Sequence, residues 1–559
     1  MLLKSIWGDI MYTVRNMTDY GKEYAEFAWD VPKRFNFARD IVDKWAEDPE
    51  KLAMWCVAED GSESKRTFLD FSRASRRLAH VLTRLGIKRG EVAMAILNRN
   101  PEWWEIFTTC IRMGVIVTPG TTQLTAKDIE YRINASGASC FITDTANAPK
   151  LEKVLDRCPT LKTKLIIGQP REGWITYSEA LRDAPETFET ADTKSDEGAI
   201  VYFTSGTTGY PKMTLHTHTS YPLGHQVTGR YWLDLTPNDL HWNISDTGWA
   251  KAAWSSYFGP WYCGAAVFVH TADRIDPETT LSCLEEYPIT TMCCAPTLYR
   301  MLVLQDLSTR RFPTLRHCVG AGEPLNAEII DAWKKATGVT IRDGYGQTET
   351  VCLCASFPCI EPRFGSMGKR TPGFDLQVID EEGTVLPPNV EGDIAVRVEP
   401  VRPLGLFKEY WKDPEKTAAS HRGSWYLTGD RAYVDEDGYF WFVGRADDVI
   451  LTSGYRIGPF EVESALIEHP AVAESAVVSS PDTTRGEVVK AFIVLAPGFT
   501  GSEKLAKELQ DYVKGATAPY KYPRKVAFVP ELPKTVSGKI KRIDLRNAEW
   551  GRKEPSGST

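Results

Sequence analysis

Apolar residues recur in two alternating patterns along the first third of the chain. In residues 67–85 they fall three or four positions apart, as at Phe68, Phe71 and Leu78, which predicts an amphipathic helix. The compact apolar run 91–97 predicts a buried strand. The alternation continues in predicted helices at 103–112 and 126–136 and predicted strands at 114–118 and 138–143. It predicts an α/β fold of helix-covered, largely parallel sheets.

The C-terminal stretch of the chain has its own pattern. Strand-like runs cover 471–479, 488–495 and 525–529, and helical spacing covers 501–515. A chain of 559 residues is too long for one hydrophobic core, so at least two domains are expected. The patterns therefore predict a large α/β domain followed by a small α+β domain.

Charge and cysteine content exclude several classes of protein. The chain has 66 basic and 74 acidic residues, a net charge of −8, and this balance offers no general attraction to nucleic acid or to an anionic membrane. The twelve cysteines form no CxxC pair, and neither Cys293-Cys294 nor Cys352-Leu-Cys354 has zinc-ligand spacing. We therefore expect reduced thiols, with no structural disulfide and no zinc.

The N-terminal residues bear on the cellular location. Residues 1–16 contain Lys4, Asp9 and Arg15 without a continuous apolar core, so they resemble neither a secretory signal nor an Arg/Ser-rich transit peptide. The sequence also contains no apolar run long enough to span a bilayer. These observations predict a cytoplasmic protein.

Residues 198–212, GAIVYFTSGTTGYPK, join a predicted buried strand to a glycine-rich turn and a lysine. Glycines that tolerate positive φ alternate with hydroxyl residues, so successive backbone N–H groups can converge on an anion such as phosphate. An ordinary surface turn has the same composition, and the segment is not a Walker A loop, because Tyr210 and Pro211 follow Gly209. The residues assigned to phosphate binding are Thr204, Ser205, Gly206, Thr207, Thr208, Gly209 and Lys212.

This segment resembles the TSGTTGxPK signature of the adenylate-forming superfamily, which includes acyl-CoA synthetases, luciferases and the adenylation domains of peptide synthetases. Further motifs resembling those of the superfamily follow in order: GAGEP at 320–324, DGYGQTE at 343–349, WYLTGD at 425–430, VGRADDVI at 443–450, SGYRI at 453–457 and PKTVSGKI at 533–540. The resemblance covers nearly the whole chain. It implies a large domain, 1–446, and a small mobile domain, 447–559, with Asp447 as the hinge.

The resemblance also implies the roles of individual residues in ATP binding. Tyr345 would stack on adenine, Thr348 would lie near the α-phosphate, and Glu349 would supply a carboxylate oxygen to Mg²⁺. Asp430 would accept the ribose hydroxyls, although a turn-capping aspartate is the alternative. The other residues that the resemblance assigns to ATP are Gly322, Glu323, Pro324, Asp343, Gly344, Gly346, Gln347, Arg445, Arg456 and Lys539, the last also being catalytic with Thr348 and Glu349.

Coenzyme A and the acyl group have their own candidate residues. In superfamily terms Gln123 would contact CoA, although a surface glutamine is equally consistent with the sequence. Trp249 would line the acyl pocket, although most aromatic residues of its region are expected in the core. Acetate-specific relatives have YWQTE where this chain has YGQTE, so the resemblance implies that Gly346 leaves the pocket open to acids larger than acetate. The alternative is that Gly346 is a turn glycine and that other side chains fill the space. The further residues assigned to CoA are Ser453, Gly454, Tyr455 and Arg485.

The function implied is that of an acyl-CoA synthetase, which joins a carboxylic acid to CoA at the expense of ATP through an acyl-AMP intermediate. Three alternatives stay open. A peptide-synthesis adenylation domain would need a carrier-protein domain, and we expect none after Thr559. A luciferase-like oxygenase is compatible with the motifs. A non-catalytic nucleotide-binding module is opposed by the intact Lys539, Glu349 and Asp430.

Overall fold

A computed structural model describes residues 16–204, 211–272, 276–323, 325–446, 448–452, 455–482, 486–517, 520–534 and 540–551; at 451, 455 and 456 the backbone alone is described. Of the predicted site residues, the following lie outside the described residues: Ser205, Gly206, Thr207, Thr208, Gly209, Pro324, Asp447, Ser453, Gly454, Arg485 and Lys539.

The described residues form strands in chain order as follows: β1 (Leu52–Val57), β2 (Glu63–Thr67), β3 (Val92–Ile96), β4 (Ile116–Gly120), β5 (Cys140–Asp144), β6 (Thr163–Ile167), β7 (Ile175–Thr176), β8 (Gly198–Thr204), β9 (Lys212–Thr217), β10 (Leu240–Ile244), β11 (Ala266–His270), β12 (Thr291–Cys294), β13 (His317–Gly320), β14 (Ile341–Gly346), β15 (Cys352–Ala355), β16 (Lys369–Arg370), β17 (Leu376–Ile379), β18 (Gly392–Arg397), β19 (Glu409–Tyr410), β20 (His421–Arg422), β21 (Trp425–Val434), β22 (Phe440–Arg445), β23 (Ile450–Thr452), β24 (Tyr455–Ile457), β25 (Val472–Asp482), β26 (Gly486–Leu495) and β27 (Lys525–Phe528).

The α-helices are α1 (Tyr20–Glu26), α2 (Asp43–Trp45), α3 (Phe68–Arg84), α4 (Glu102–Met113), α5 (Ala126–Ser136), α6 (Ala148–Glu152), α7 (Tyr177–Leu181), α8 (Ala250–Ala253), α9 (Gly259–Tyr262), α10 (Pro277–Glu286), α11 (Pro296–Val303), α12 (Ala327–Thr337), α13 (Pro414–Ala419), α14 (Pro459–Ile467), α15 (Glu503–Ala516) and α16 (Arg542–Glu549). Short π-helical segments cover Ala38–Val42, Thr228–Trp232 and Trp254–Phe258, and a 3₁₀ turn covers Leu155–Arg157.

Two large, mostly parallel sheets form the bulk of the protein. The first has the order β16-β15-β14-β13-β12-β10-β11-β1-β2, and its strands from β1 through β11, β10, β12 and β13 to β14 are parallel. The second has the order β19-β9-β8-β4-β3-β5-β6-β7, with β9 and β19 antiparallel at one edge. A third, antiparallel sheet has the order β17-β18-β21-β20, with β22 paired to β21. The α/β prediction is confirmed.

Local sequence signals explain why the predicted elements begin and end where they do. Helix α3 starts at a capping box in which Thr67 and Asp70 exchange side-chain-to-backbone hydrogen bonds. Helix α5 starts at the equivalent box of Thr125 and Asp128, and it ends at Gly137, whose φ of 76° is the left-handed conformation that glycine tolerates best. Helix α5 therefore spans the residues that the sequence predicts.

The C-terminal residues form a separate small sheet domain. Its strand order is β24-β23-β26-β25, with β27 parallel to β26; helices α14 and α16 pack against β25, and α15 packs against α14. Its apolar cluster is distinct from those of the large sheets and includes Val462, Leu466, Val477, Ile493 and Leu509. The small α+β domain predicted from the sequence is therefore present.

The small domain touches the rest of the protein through α14 and the end of β22. Asn326 Nδ2 donates to Ser464 Oγ at 3.2 Å, and the rings of Phe442 and Phe460 lie 6.1 Å apart. Gly458 packs closely against Val443, because a Cβ at Gly458 would lie only 2.1 Å from the Val443 carbonyl oxygen. These contacts connect the small domain to α12 and β22, which also border the predicted site.

The state of the cysteines and the character of the helices bear on the class of protein. All twelve cysteines are free, and eleven of them are buried. No helix in the described ranges combines the length and the apolar character needed to cross a membrane.

Candidate active site

The predicted phosphate segment connects two adjacent strands. β8 is buried, pairs in parallel with β4, and pairs antiparallel with β9, so that Thr204 and Lys212 face each other across the hairpin. The Thr204 Oγ1 atom is buried and has no hydrogen-bond partner among the described residues. Because an unsatisfied buried hydroxyl is costly, this atom is suited to a ligand at the strand end.

Glu349 lies beside Lys212 and Tyr410. Tyr410 donates its hydroxyl to Glu349 Oε1 at 2.9 Å, and the Lys212 ammonium lies 4.9 Å from the centre of the Tyr410 ring. The Glu349 carbonyl accepts the Phe407 N–H at 2.7 Å, which fixes the backbone. Burial raises the pKa of the Glu349 carboxyl, while the Tyr410 hydroxyl and the charges of Lys212 and Arg445 oppose the rise. A cation next to this carboxylate would offset the cost of its burial.

Asp430 is the centre of a second network. Its Oδ2 accepts from the Tyr345 hydroxyl at 2.6 Å and from Gln347 Nε2 at 2.8 Å, and its Oδ1 lies 3.3 Å from Arg445 Nε. Gln347 also donates to the Thr428 carbonyl at 2.8 Å. These contacts fix the orientation of the Asp430 carboxylate between Tyr345, Gln347 and Arg445.

Asp343 connects two predicted motifs. Its Oδ1 accepts the Gly344 N–H at 2.8 Å, and its carboxyl also accepts the N–H of Leu325, just past the GAGEP motif. Lys251 Nζ donates to the Ala321 carbonyl at 2.8 Å, so the same motif is held from a second side. Burial raises the pKa of Asp343 to about 8, against the lowering effect of these hydrogen bonds and of Lys251. Asp343 therefore positions the backbone of both motifs.

Glu323 is occupied by neighbouring protein groups. Its carboxylate accepts from the Thr297 N–H at 2.9 Å and from Arg300 Nη2 at 3.0 Å, and these contacts hold the pKa of the carboxyl below its ordinary value against its burial. Gly322 has a φ of +103° and open space where a Cβ would point. Glu323 thus anchors the turn to α11, and the glycine before it leaves room above the backbone.

Two loops bring Gln123 and Trp249 into the same region. Gly248 lies so close to the loop before Gln123 that a Cβ there would be 2.0 Å from the Thr121 nitrogen. The Gly248 N–H donates to Asp246 Oδ1 at 2.7 Å, and Trp249 N–H donates to the Asp246 carbonyl at 3.2 Å. Gln123 is exposed and Trp249 is half-buried. The structure therefore places the loop that carries Gln123 beside the loop that carries Trp249.

Glycines in the 343–349 motif are required by packing. A Cβ at Gly346 would lie 2.4 Å from the Val351 carbonyl oxygen, and a Cβ at Gly344 would lie 2.3 Å from the ring of Trp232. Gly346 itself is exposed. Close backbone packing therefore requires a glycine at position 346, and the role of Gly346 in the acyl pocket stays a prediction.

Sequence reasoning missed Tyr410. It lies on the two-residue strand β19, 61 residues from Glu349 along the chain, and reaches the site because β19 pairs with β9 at Thr214. No local motif marks a tyrosine on so short a strand. Tyr410 could be assigned to the site only once the pairing of β19 with the sheet edge was known.

The described residues offer Mg²⁺ a carboxylate but no complete protein site, because they include no cluster of three or more His, Cys, Asp or Glu side chains that could hold a metal. Mg²⁺ often binds one or two carboxylates together with substrate phosphates. The half-buried Glu349, one residue from Thr348 and near Lys212, fits that mode of binding.

Comparison with known proteins identifies the class. A family model described as AMP-binding enzyme matches residues 42–411, and one described as AMP-binding enzyme C-terminal domain matches residues 461–539. The chain therefore belongs to the AMP-binding enzyme family. The predicted superfamily is confirmed.

Individual relatives narrow the assignment. Acyl-coenzyme A synthetase ACSM3, mitochondrial, of Mus musculus is 53% identical over 549 residues, covering 96% of this chain and 94% of that protein. Acyl-coenzyme A synthetase ACSM4, mitochondrial, of Homo sapiens is 54% identical over 530 residues, covering 93% and 91%. The crystal structure of the anthranilate CoA ligase AuaEII in complex with anthranoyl-AMP has a TM-score of 0.85 at 33% identity, covering 93% of this chain and 98% of that one. Within its family this chain is an acyl-CoA synthetase.

The same relatives correct the predicted location. Both synthetases are named as mitochondrial, so the prediction of a cytoplasmic protein is wrong. Net charge and free cysteines report on general chemistry and do not identify a compartment. Import signals are short and weakly patterned, and residues 1–16 did not reveal one.

Proposed function

We propose that this synthetase activates a carboxylic acid larger than acetate, of the medium-length, branched or aryl kind used in fatty acid and related lipid metabolism. The observation that carries the proposal is the turn 345–349, where Tyr345 and Gln347 hold Asp430 while Glu349 faces Lys212 and Tyr410. One short segment thus joins a network suited to a ribose and its base to a carboxylate suited to the phosphates. The name of the related anthranilate CoA ligase supports an aryl or similarly large acid.

In the proposed reaction the carboxylate of the acid attacks the α-phosphorus of ATP, the bond to the β,γ-phosphates breaks, and pyrophosphate leaves. The CoA thiolate then attacks the acyl carbonyl, and AMP leaves as the thioester forms. No protein nucleophile is needed, so the chain contributes positioning and charge.

Individual residues divide this work. Lys212 and the hydroxyl-rich segment before it bind the phosphates, Asp430 and Arg445 bind the ribose, and Lys539 stabilises the oxygen shared by carboxylate and phosphate. Glu349 would hold Mg²⁺, which when bound neutralises phosphate charge. Thr348 orients its hydroxyl toward the α-phosphate. Gln123, Ser453, Gly454, Tyr455 and Arg485 bind CoA.

The acyl pocket sets the choice of acid. We assign Trp249 to its wall and Gly346 to its open side. Each buried methylene adds about 0.8 kcal/mol of binding, roughly fourfold, so preference should rise over several carbons until the pocket ends.

A rotation of the small domain would connect the two steps. We assign the boundary to 446/447 and the hinge to Asp447; Ser464 and Phe460 of the small domain contact Asn326 and Phe442 across this boundary. Asp447→Pro fixes φ near −65° and should slow the thiol step while preserving adenylation if it holds the adenylating arrangement. Unchanged rates of both steps would exclude rotation at this residue.

The experiment that tests the function is acid-dependent pyrophosphate release from ATP, measured with acids of graded length and followed by CoA thioester formation. We expect kcat/KM to rise from acetate to longer or aryl acids. Trp249→Ala should alter this ranking, whereas Trp55→Ala, on β1 and paired to Glu63, should not. Gly346 is a poor choice for mutation because any side chain would displace the Val351 backbone. A wild-type enzyme that works best with acetate would contradict the proposal.

A further inference from the structure

The imidazole of His216 links the phosphate hairpin to the 345–349 turn. His216 lies on β9, four residues after Lys212, and is fully buried. Its Nε2 is 2.7 Å from the carbonyl oxygen of Thr348, and its Nδ1 is 3.1 Å from Ser220 Oγ. Because a carbonyl can only accept, Nε2 carries the hydrogen, and the Ser220 hydroxyl donates to Nδ1.

The tautomer of His216 is fixed by its surroundings. Ser220 Oγ also accepts the Thr217 N–H at 2.8 Å, so this hydroxyl is held in place while it donates to the ring. The ring packs against Tyr221, with centroids 4.4 Å apart. Burial lowers the pKa of His216 to about 3, so the imidazole is neutral at working pH and acts as a hydrogen-bond donor of fixed direction.

The Thr348 carbonyl depends on this donor. Thr348 and Glu349 lie in a turn beyond the end of β14, so their carbonyl groups are not paired in a strand ladder. The Glu349 carbonyl accepts from Phe407 at 2.7 Å, and the Thr348 carbonyl accepts from His216. The two hydrogen bonds set the direction of consecutive peptide groups, and hence where the Thr348 hydroxyl and the Glu349 carboxylate point.

We propose that His216 is a positioning residue for adenylation, holding Thr348 and Glu349 in register with Lys212 through one buried hydrogen bond to the backbone. The proposal rests on the function proposed above, since it assigns the effect to the ATP-consuming half-reaction. His216 contacts no substrate in this role. A displacement of about 1 Å at reacting groups can reduce a rate by roughly 100-fold, so one such bond is enough to matter.

Two substitutions at this position separate hydrogen bonding from packing. His216→Leu fills much of the space without a donor, and His216→Gln places an amide N–H near the position of Nε2. We expect the leucine variant to lose about 10- to 100-fold in acid-dependent ATP–pyrophosphate exchange and to raise the KM for ATP, with thioester formation from supplied acyl-AMP changed less than threefold. The glutamine variant should recover most of the exchange rate.

A matched control exists elsewhere in the large domain. His317, at the start of β13, is also buried and lies 2.7 Å from a backbone carbonyl, that of Trp232, through its Nε2. His317→Leu should reduce stability comparably while leaving the ratio of the two half-reactions unchanged. If His216→Leu does not fold, Ser220→Ala replaces it, because loss of the hydroxyl frees the ring; we expect a threefold to tenfold loss confined to exchange.

The outcomes separate this role from the proposed function. Wild-type protein without acid-dependent exchange would overturn the proposed function. Active wild type together with equal losses in both half-reactions for His216→Leu or Ser220→Ala, or a glutamine variant no better than leucine, would overturn the role of His216 alone. Selective loss of exchange with rescue by glutamine supports it.

Discussion

The large and small domains of this enzyme hold a predicted functional carboxylate and a structural carboxylate, those of Glu349 and Glu463, with different hydrogen-bond donors. At the predicted nucleotide site, Glu349 is hydrogen-bonded by the neutral Tyr410, and burial raises the pKa of its carboxyl. In the small domain, buried Glu463 faces a full charge, with Arg542 Nε at 2.9 Å and Nη2 at 2.6 Å. A carboxylate held mainly by a neutral donor keeps its affinity for a cation or a ligand, whereas one paired with arginine is already neutralised.

The difference indicates a division of labour. Arg542 follows Lys539 by three residues, and Glu463 also accepts the Val477 N–H at 2.7 Å, so this ion pair ties the end of the lysine segment to α14 and β25. In the large domain, the hydrogen bond to Glu349 thus comes from a neutral hydroxyl, with the charges of Lys212 and Arg445 nearby. In the small domain, the Glu463–Arg542 ion pair connects α16 to α14 and β25.

The largest expected effect comes from Lys539→Ala. If the small domain serves adenylation through this one ammonium, exchange should fall roughly 100- to 1,000-fold, while thioester formation from supplied acyl-AMP is spared. Lys534→Ala is the control, since Lys534 pairs with Glu474 at the surface on the other side of the segment. Equal losses in both half-reactions would break the proposed division between domains.

The next prediction concerns the contribution of the Glu463–Arg542 ion pair to the stability of the small domain. Glu463→Gln removes the carboxylate that Arg542 contacts directly. We expect the free energy of unfolding to fall by about 2–3 kcal/mol, below the usual range for a buried pair because the arginine is partly exposed. Adenylation should fall with it. Glu474→Gln breaks the exposed pair with Lys534 and should cost about 1 kcal/mol or less. Urea unfolding of the full chain measures both, and equal costs would contradict the comparison.

Tyr410→Phe tests the neutral donor at the large-domain site. The phenyl ring stays under Lys212, but the hydrogen bond to Glu349 is lost, and bonds to charged groups contribute about 1.5–3 kcal/mol. We expect adenylation to slow about tenfold and its Mg²⁺ requirement to shift. Tyr439→Phe, which removes a hydrogen bond to the Glu361 carbonyl, is the control. An unaltered rate would show that Glu349 does not need this donor.

The smallest effect concerns the neutral histidines of the large domain. Burial lowers the pKa of His218 to about 4, and neither ring nitrogen has a hydrogen-bond partner among the described residues. The unfolded chain therefore binds a proton that the folded chain does not between about pH 4 and 6.5, so the stability contributed by this neutral group is complete above pH 6.5 and is lost as the pH falls.

The measurement compares wild type with His218→Leu by thermal unfolding at two pH values. When the pH is lowered from 7.5 to 5.5, the free energy of unfolding of the variant should rise relative to that of wild type by about 1.4 kcal/mol. This is the free energy that corresponds to one pH unit, because pH 5.5 lies one unit below the unfolded pKa of 6.5. A difference in stability that is independent of pH would show that His218 has the same pKa in the folded and the unfolded chain.

Much of the fold could be predicted because its signals are local. The capping boxes at Thr67 and Thr125 fix helix starts, and apolar runs such as 91–97 fix buried strands, with little help from distant residues. The family could be recognised for the same reason, since each of its motifs is a short contiguous segment. The predicted roles of Lys539 and Asp447, which lie outside the described residues, stay predictions.

The sequence by itself determined the alternation of elements, the family and the list of candidate groups, since periodicity, caps and motifs are properties of short segments. Only the tertiary structure decided how those groups interact. Tyr410 reaches Glu349 by the pairing of β19 with β9, and Gly346 is required by a carbonyl five residues further on. The buried bond from His216 to Thr348 joins positions 132 residues apart. Such contacts depend on sheet order and close backbone approach, and no local pattern encodes them.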